Sequence, residues 1–523
     1  MGCCCCKIKG PAEPAYTRRA PIQPPTDDSN DVQINIPKFV ESHVVDQLVL
    51  EMLSVTASRT DNDQESPVAL VKLNVIADKE DGWIQVVASI VNCIPLENPY
   101  GPTAISILVD SSPLPAKDTV IKLTELYRLS ERRASIPDVD VKIERNMCIA
   151  IGCIAEKLIG PNSVAVMTKN TLDYLYTFLK KQQDPRIVLY ALIAMQNFAH
   201  TTENKITINK MIQEDDENPF LELEKHTYSN HFVWRQVGFC AVWALDNLFV
   251  LEGRKLSYEV TDNSHLNALL NAHDASEYLQ IASDGLEARC DSYSFESVRC
   301  TFQVDGGCWY YEVLIVTAGV MQIGWATKNS YFQNDEGYGI GDDTFSISYD
   351  GCRRQVWYCA KPLSVTQMRA WVPGDILGCL IDVRRKEVVF SLNGQRISSC
   401  RQIFEATRTG FFAAASFMAY QQCRFNFGAD AFKFPPLDRR YNTFNDYGDI
   451  SEQQRTILPR RIYLQQRRCS SIKEDACTLC CDEPAECVLE PCGHGGFCSI
   501  CTSQLKDCPL CRADIKNVRR GSS

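Results

Sequence analysis

The sequence predicts a multidomain α+β protein assembled from three unlike parts: an α-helical array, an antiparallel β-sandwich and a small C-terminal module folded by metal. Three observations predict it. Between about 40 and 275, apolar residues recur at i, i+3, i+4 and i+7, as in Ile187, Tyr190, Ala191 and Ala194, the spacing of one helix face. Between about 285 and 430 the period drops to two, as in Val388, Phe390 and Leu392, the spacing of one strand face. Nine of the 26 cysteines then crowd into the 35 residues from Cys477 to Cys511. A chain of 523 residues has room for three or four domains of roughly 150 residues each, so the three textures need not share one core.

Composition removes several classes. With 45% hydrophobic and 23% charged residues, the chain is neither disordered nor a coiled coil. A net charge of −11 argues against a surface that coats nucleic acid. A membrane span needs about 18 consecutive apolar residues, and the longest candidate, Phe411 to Tyr420, is half that length. No apolar signal core follows Met1, so the cysteines read as reduced thiols of a cytoplasmic protein rather than a disulfide scaffold. The scattered ones, such as Cys153 and Cys240, then serve as small buried hydrophobes.

Residues 1–40 form a flexible arm, because Pro11, Pro14, Pro21, Pro24 and Pro25 forbid a continuous helix. Its head offers lipidation sites. Gly2 would be exposed after removal of Met1, although Cys6 stands where the myristoylation pattern wants Ser or Thr, and Cys3, Cys4, Cys5 and Cys6 invite palmitoylation. Acyl chains together with Lys7 and Lys9 would anchor the protein at the cytosolic face of a membrane. The alternative is an unmodified or metal-binding cysteine run.

Residues 41–275 contain three similar segments, Glu144–Leu158, Pro185–Ala199 and Phe232–Phe249. Their terminal apolar residues Leu158, Phe198 and Leu248 lie 40 and 50 residues apart, close to the roughly 40–47-residue periods of armadillo and HEAT repeats. The acidic insertion Glu214–Glu217 accounts for the longer second spacing. The region resembles a degenerate armadillo-like array, with an ordinary helical bundle as the alternative. No convergent His, Cys or carboxylate set stands out in it, so it is expected to bind protein partners and catalyse nothing.

Residues 285–435 read as the β-sandwich. Asn393-Gly394 offers a type I′ hairpin turn after Val388–Leu392, and Cys423, Phe425 and Phe427 alternate with Arg424 and Asn426. Trp309, Trp325, Trp357 and Trp371 are expected in the core, because large rings dominate such cores. The strings Trp309–Val313, Gln322–Thr327, Gly374–Cys379 and Phe390–Gly394 together resemble the SPRY (B30.2) domain. That resemblance implies a module that binds a substrate protein or peptide through its loops. Gly337-Tyr338-Gly339-Ile340-Gly341 does not give a nucleotide-binding fingerprint and reads as turn chemistry.

Residues 436–470 read as a connector with a basic stretch at Arg455, Arg460, Arg461, Arg467 and Arg468. The last part, 471–515, places eight soft ligands in four close pairs: Cys477 and Cys480, Cys492 and His494, Cys498 and Cys501, Cys508 and Cys511. Zn²⁺ takes four S or N donors in a tetrahedron, so eight close two structural Zn²⁺ sites and leave no open catalytic position. A segment this short cannot bury a sufficient core, so metal must supply folding energy. Cys481 and Cys487 fall outside the pair rhythm and read as packing or exposed thiols.

The Cys3-His-Cys4 order resembles the RING finger. The resemblance implies a cross-brace, with Cys477, Cys480, Cys498 and Cys501 on the first zinc and Cys492, His494, Cys508 and Cys511 on the second. It also implies an E2 ubiquitin-conjugating enzyme and ubiquitin as partners. Leu479, Leu505 and Pro509 match the positions that contact the E2, and Arg512 matches the cation that positions donor ubiquitin. Helical region, sandwich, then C-terminal RING is similar to the order of the RING finger and SPRY domain-containing protein 1 family. The expected function is therefore a RING-type E3 ubiquitin ligase, with a non-catalytic zinc-containing adaptor as the alternative. Nucleic acid is not an expected partner, because Glu474, Asp475, Asp482, Glu483, Glu486 and Glu490 would repel phosphate.

Overall fold

The computed structural model describes residues 40–58, 66–129, 140–158, 160–181, 184–332, 337–363, 368–407, 409–471, 477–479, 484–503 and 505–520. Its contacts define a large compact unit within 33–457 and a small one that includes 458–523. No helix among the described residues is long and apolar enough to cross a membrane.

The large unit opens with helices α1 (Ser42–Ser58), α2 (Val68–Ala77), α3 (Glu80–Cys93), α4 (Gly101–Ser111), α5 (Lys117–Leu126), α6 (Val141–Lys157), α7 (Pro161–Val166), α8 (Lys169–Lys181), α9 (Pro185–Phe198), α10 (Thr202–Gln213), α11 (Pro219–Leu223) and α12 (Phe232–Asn247). The three similar sequence segments are α6, α9 and α12, and they pack in series, α6 on α9 and α9 on α12. Each begins at a side-chain cap. Asp140 accepts from the amides of Lys142 and Ile143, Asp184 from Arg186, and His231 from Trp234. These caps satisfy amides that the first turn leaves without partners.

The helix-to-helix spacing is set by small residues and polar ties. A Cβ on Gly152 of α6 would lie 3.2 Å from the Ala194 Cα of α9. At the same crossing, the Asn197 amide donates to the Gly152 carbonyl at 3.2 Å, and buried Gln196 donates to the Cys240 carbonyl of α12 at 2.9 Å. Asn146, fully buried, donates to the carbonyls of Val91 and Ile94 at the end of α3, both at 2.9 Å. Cys153 and Cys240 lie in this core as expected, at 6% and 0% exposure.

Among the described residues, every pair of named strands in the sandwich is antiparallel. One sheet runs in the order β1 (Leu279–Ile281), β2 (Glu287–Cys290), β13 (Gln421–Asn426), β4 (Cys308–Ile315), β9 (Ile376–Asp382), β10 (Glu387–Leu392) and β11 (Gln395–Cys400). The other runs β3 (Glu296–Arg299), β12 (Phe411–Phe417), β5 (Met321–Thr327), β6 (Ser346–Asp350), β7 (Gln355–Tyr358) and β8 (Lys361–Leu363). Asn393 and Gly394, at φ 50° and 79°, make the β10–β11 turn, whose type requires positive φ at both positions. All four tryptophans of the region are buried. Tyr311 sits among Trp325, Phe425, Phe427 and Phe444 with ring centroids 5.1 to 6.2 Å apart.

The sandwich core extends beyond the segment with obvious alternation. Leu266, Leu269 and Leu270 enter it from upstream, and Phe444, Ile450 and Ile457 from the stretch read as connector. Single apolar anchors in irregular chain carry no periodicity, so pattern alone does not reveal them. The array and the sandwich also pack against each other within this unit. Arg235 of α12 forms a bidentate pair with Glu287 of β2 at 2.9 and 2.5 Å.

Candidate metal centre

The C-terminal module is a set of tight turns around a very small core. Leu489, Phe497, Cys477, Cys498 and Cys508 are buried, and Leu479, Cys492, Cys501 and Ile515 pack against them. Strand β14 (Cys487–Glu490) pairs with β15 (Asn517–Arg520), so the fold continues past residue 515. Asn-Val-Arg-Arg has too little alternation to be read as a strand from sequence. Between them, the Thr478 amide donates to the Gly496 carbonyl at 2.8 Å, Cys487 to Phe497 at 2.9 Å and Leu489 to His494 at 2.8 Å. Gly493 and Gly496 turn the chain at φ 73° and 94°, where a side chain would be strained.

These turns gather the donor atoms into two groups. Cys492, His494, Cys508 and Cys511 have ligand atoms within 4.8 Å of one another. Cys477, Cys498 and Cys501 form the second group to the same tolerance. Cys480 lies outside the described residues, as do Gly2, Cys3, Cys4, Cys5, Cys6 and Cys481. The groups interleave along the chain, with Cys492 and His494 falling between Cys477 and Cys498. Three thiols and one imidazole suit a tetrahedral Zn²⁺ site, so this donor set fits the metal.

Local hydrogen bonds prepare the sulfurs for ligation. Cys498 caps the short helix Ser499–Thr502, with its Sγ 3.3 Å from the Cys501 amide. The Cys508 Sγ lies 3.6 Å from His494 Nδ1. Burial pushes the Cys508 thiol up, but the amides of Cys511 and Leu510 outweigh it and bring the group down to about 7. The Ala513 amide pulls Cys511 down, yet burial and the neighbouring Cys508 and Cys492 sulfurs outweigh that and leave it raised. Cys487 is buried on β14 and belongs to neither group.

The other residues singled out in the sequence surround these groups. Leu479 and Leu505 are half-buried, while Pro509 and Arg512 are exposed. Arg512 adopts φ 59° directly after Cys511, with its amide donating to the Cys508 carbonyl at 2.7 Å. Two apolar residues not singled out are also exposed, Ile500 at 58% on the short helix and Leu510 at 65% beside Pro509. Their signal was available, because the middle positions of a Cys-x-x-Cys turn cannot point toward the ion that its sulfurs face.

Comparison with known proteins defines the class. Residues 308–430 match the SPRY domain, and residues 473–518 match the zinc finger, C3HC4 type (RING finger). The protein thus combines an N-terminal helical region, a SPRY β-sandwich and a C-terminal RING with its cysteine and histidine cluster. More particularly, it is similar to "E3 ubiquitin-protein ligase RKP" of Arabidopsis thaliana, 35% identical over 147 residues, which are 27% of this chain and 11% of that protein. It is also similar to "ATP-dependent RNA helicase DDX1" of Xenopus laevis, 27% identical over 190 residues, which are 36% of this chain and 24% of that protein. The chain therefore spans only a minor part of the length of these curated relatives. Among solved structures, the SPRY domain of human HERC1 aligns at 11% identity over 30% of this chain and 96% of that one, with a TM-score of 0.26. The TRIM65 PSpry domain aligns at 13% identity over 31% and 92%, with a TM-score of 0.24.

Proposed function

We propose that the protein is a RING-type E3 ubiquitin ligase of the RING finger and SPRY domain-containing protein 1 kind. In this reading the RING binds an E2–ubiquitin conjugate, and the sandwich and helical surfaces recruit the substrate protein. The observation that carries it is the pair of interleaved donor groups, Cys477, Cys498 and Cys501 against Cys492, His494, Cys508 and Cys511. Cys480 completes the first group, giving two Zn²⁺ per chain. Bound zinc would cross-link the turns and supply the folding energy that so small a core lacks.

The chain's own residues then do two jobs. Leu479, Leu505 and Pro509, widened by exposed Ile500 and Leu510, form the apolar contact for the E2. Arg512 positions the donor ubiquitin after the E2 has docked. Its backbone supports this role, since a side chain in the left-handed region costs about 1 kcal/mol that glycine would avoid. No covalent intermediate forms on the RING; its contribution is orientation. Acylation of the N-terminal cysteines would add a hold on the cytosolic face of a membrane, and the intact mass of protein from cells checks it.

The test is lysine discharge from a charged E2 by the full chain at several E2 concentrations. Leu479→Ala should weaken E2 binding by about 1–3 kcal/mol and be partly rescued at high E2. Arg512→Ala should lower discharge even at saturating E2. A wild-type chain that discharges no E2 in a broad panel would make the protein an adaptor instead.

A further inference from the structure

The sandwich and the helical array meet along a seam that neither texture announces. The turn between β12 and β13 carries Ala419 and Tyr420, and both belong to the hydrophobic core of the helices rather than that of the sandwich. Tyr420 is 5% exposed. Its ring meets that of Tyr190 on α9 edge-on at 5.3 Å, and its hydroxyl lies 3.7 Å from the Cys153 Sγ of α6. The Thr103 hydroxyl of α4 donates to the Ala419 carbonyl at 3.2 Å. Tyr420 reaches this position with φ at 65°, a conformation that a tyrosine rarely adopts.

Beside the turn, the outward face of β2 and β13 is charged and yet buried. Arg289 is fully buried, with Nε on Asp291 at 2.8 Å and Nη1 on both Gln236 of α12 and Gln422 of β13 at 3.0 Å. Glu287, 3% exposed, takes the bidentate Arg235 pair from α12 and a further bond from Gln422 at 2.6 Å. Within the closed seam these guanidinium and carboxylate groups find fitted partners, which fixes the register of the contact, while the apolar burial of the Tyr420 turn supplies its stability.

We propose that the helical array is a resident intramolecular ligand of the sandwich: it captures the Tyr420 turn and covers the β2–β13 face, so this part of the sandwich is closed to outside partners. The inference stands apart from the ligase reading. Any substrate the sandwich recruits must use its remaining surface, and the helices and sandwich act as one rigid receptor. The buried ion pairs set the register in which helices and sandwich meet.

The experiment uses the full chain and does not involve the RING. Cys153 is the reporter, because burial in the helical core pushes its thiol up to about 12 and the Tyr420 hydroxyl lies 3.7 Å from its Sγ, where the ring shields it from maleimide. Labelling is mapped by peptide mass spectrometry, and amide exchange is followed in α6, α9, α12, β2 and β13. In the wild type, Cys153 should label far more slowly than an exposed thiol. Tyr420→Gly suits the backbone at φ 65° while removing the plug, so it tests the contact without straining the turn. It should raise Cys153 labelling about tenfold or more and speed exchange in the helices and in β2 and β13 together. Arg235→Gln should do the same from the other end of the seam. Tyr420→Phe keeps the ring and should leave labelling close to wild type. Fast labelling of wild-type Cys153, or loss of protection in the sandwich alone while the helices stay unchanged, would overturn the proposal.

Discussion

At the level of one residue, Arg512 should separate folding from the proposed ligase activity. It holds φ at 59° and is a member of neither donor group. Arg512→Gly should therefore be as stable as wild type or more so, by up to about 1 kcal/mol, because glycine accepts this conformation freely. The same variant should lose discharge activity along with the cation. Thermal unfolding and lysine discharge on one preparation check both halves, and full activity would remove Arg512 from the mechanism. Cys492→Ala should behave in the opposite way. It deletes a member of a four-donor group, so zinc content should fall and the module should unfold rather than turn over slowly. Elemental analysis alongside amide exchange of 477–520 measures this.

Between elements, the α6–α9 crossing and the β10 edge give two stability predictions. Gly152→Ala would bring a methyl to 3.2 Å from the Ala194 Cα, tighter than ordinary packing, so the crossing must give by a few tenths of an ångström beside the Asn197 bond to the Gly152 carbonyl. Overpacking of about 1–3 kcal/mol set against about 1 kcal/mol gained in helix propensity leaves an expected net loss of up to about 2 kcal/mol, visible as a lower denaturant midpoint of the large unit. On β10, burial raises the Glu387 carboxyl, but Ser399, Arg439 and Arg396 outweigh it and hold the group at about 2, against 4.5 unperturbed. The unfolded chain then binds the proton more readily than the folded one. The contribution is present above pH about 4.5 and is lost as pH falls from there towards 2. Glu387→Gln should flatten the acid side of the stability curve across that window, and an unchanged curve would count against the pairing.

Across the molecule, the two units should answer to different treatments. Among the described residues, both candidate metal-binding groups lie between Cys477 and Cys511, in the small unit. Chelation should therefore abolish amide protection in the RING and leave the melting of 33–457 within experimental error of the untreated protein. The array and sandwich should instead fail together. Deleting 41–260 removes Arg235, Gln236 and the helical core around the Tyr420 turn while keeping Leu266, Leu269 and Leu270 of the sandwich core, so the remaining sandwich should melt well below the intact unit. A sandwich of unchanged stability after that deletion would show that the seam adds nothing.

The texture of each part and the chemistry of the C-terminus were legible in local patterns. The periods of 3.6 and two are local consequences of backbone geometry, so α6, α9, α12 and β10 were legible as elements. Four close donor pairs are a local pattern too, and the structure brings together seven of the eight donors, with Cys480 beyond the described residues. Alternation along β2 and β13, by contrast, tells only that Ala288 and Cys423 face one way and Arg289 and Arg424 the other. It cannot tell whether the charged side meets water or α12, because a partner distant in sequence leaves no mark on local spacing. The same holds for Tyr420, Phe444 and Ile457, single side chains whose burial depends on what the rest of the chain carries to them. These positions are settled by the folded packing, since burial of an isolated residue is a property of the assembled core and not of its neighbours in sequence.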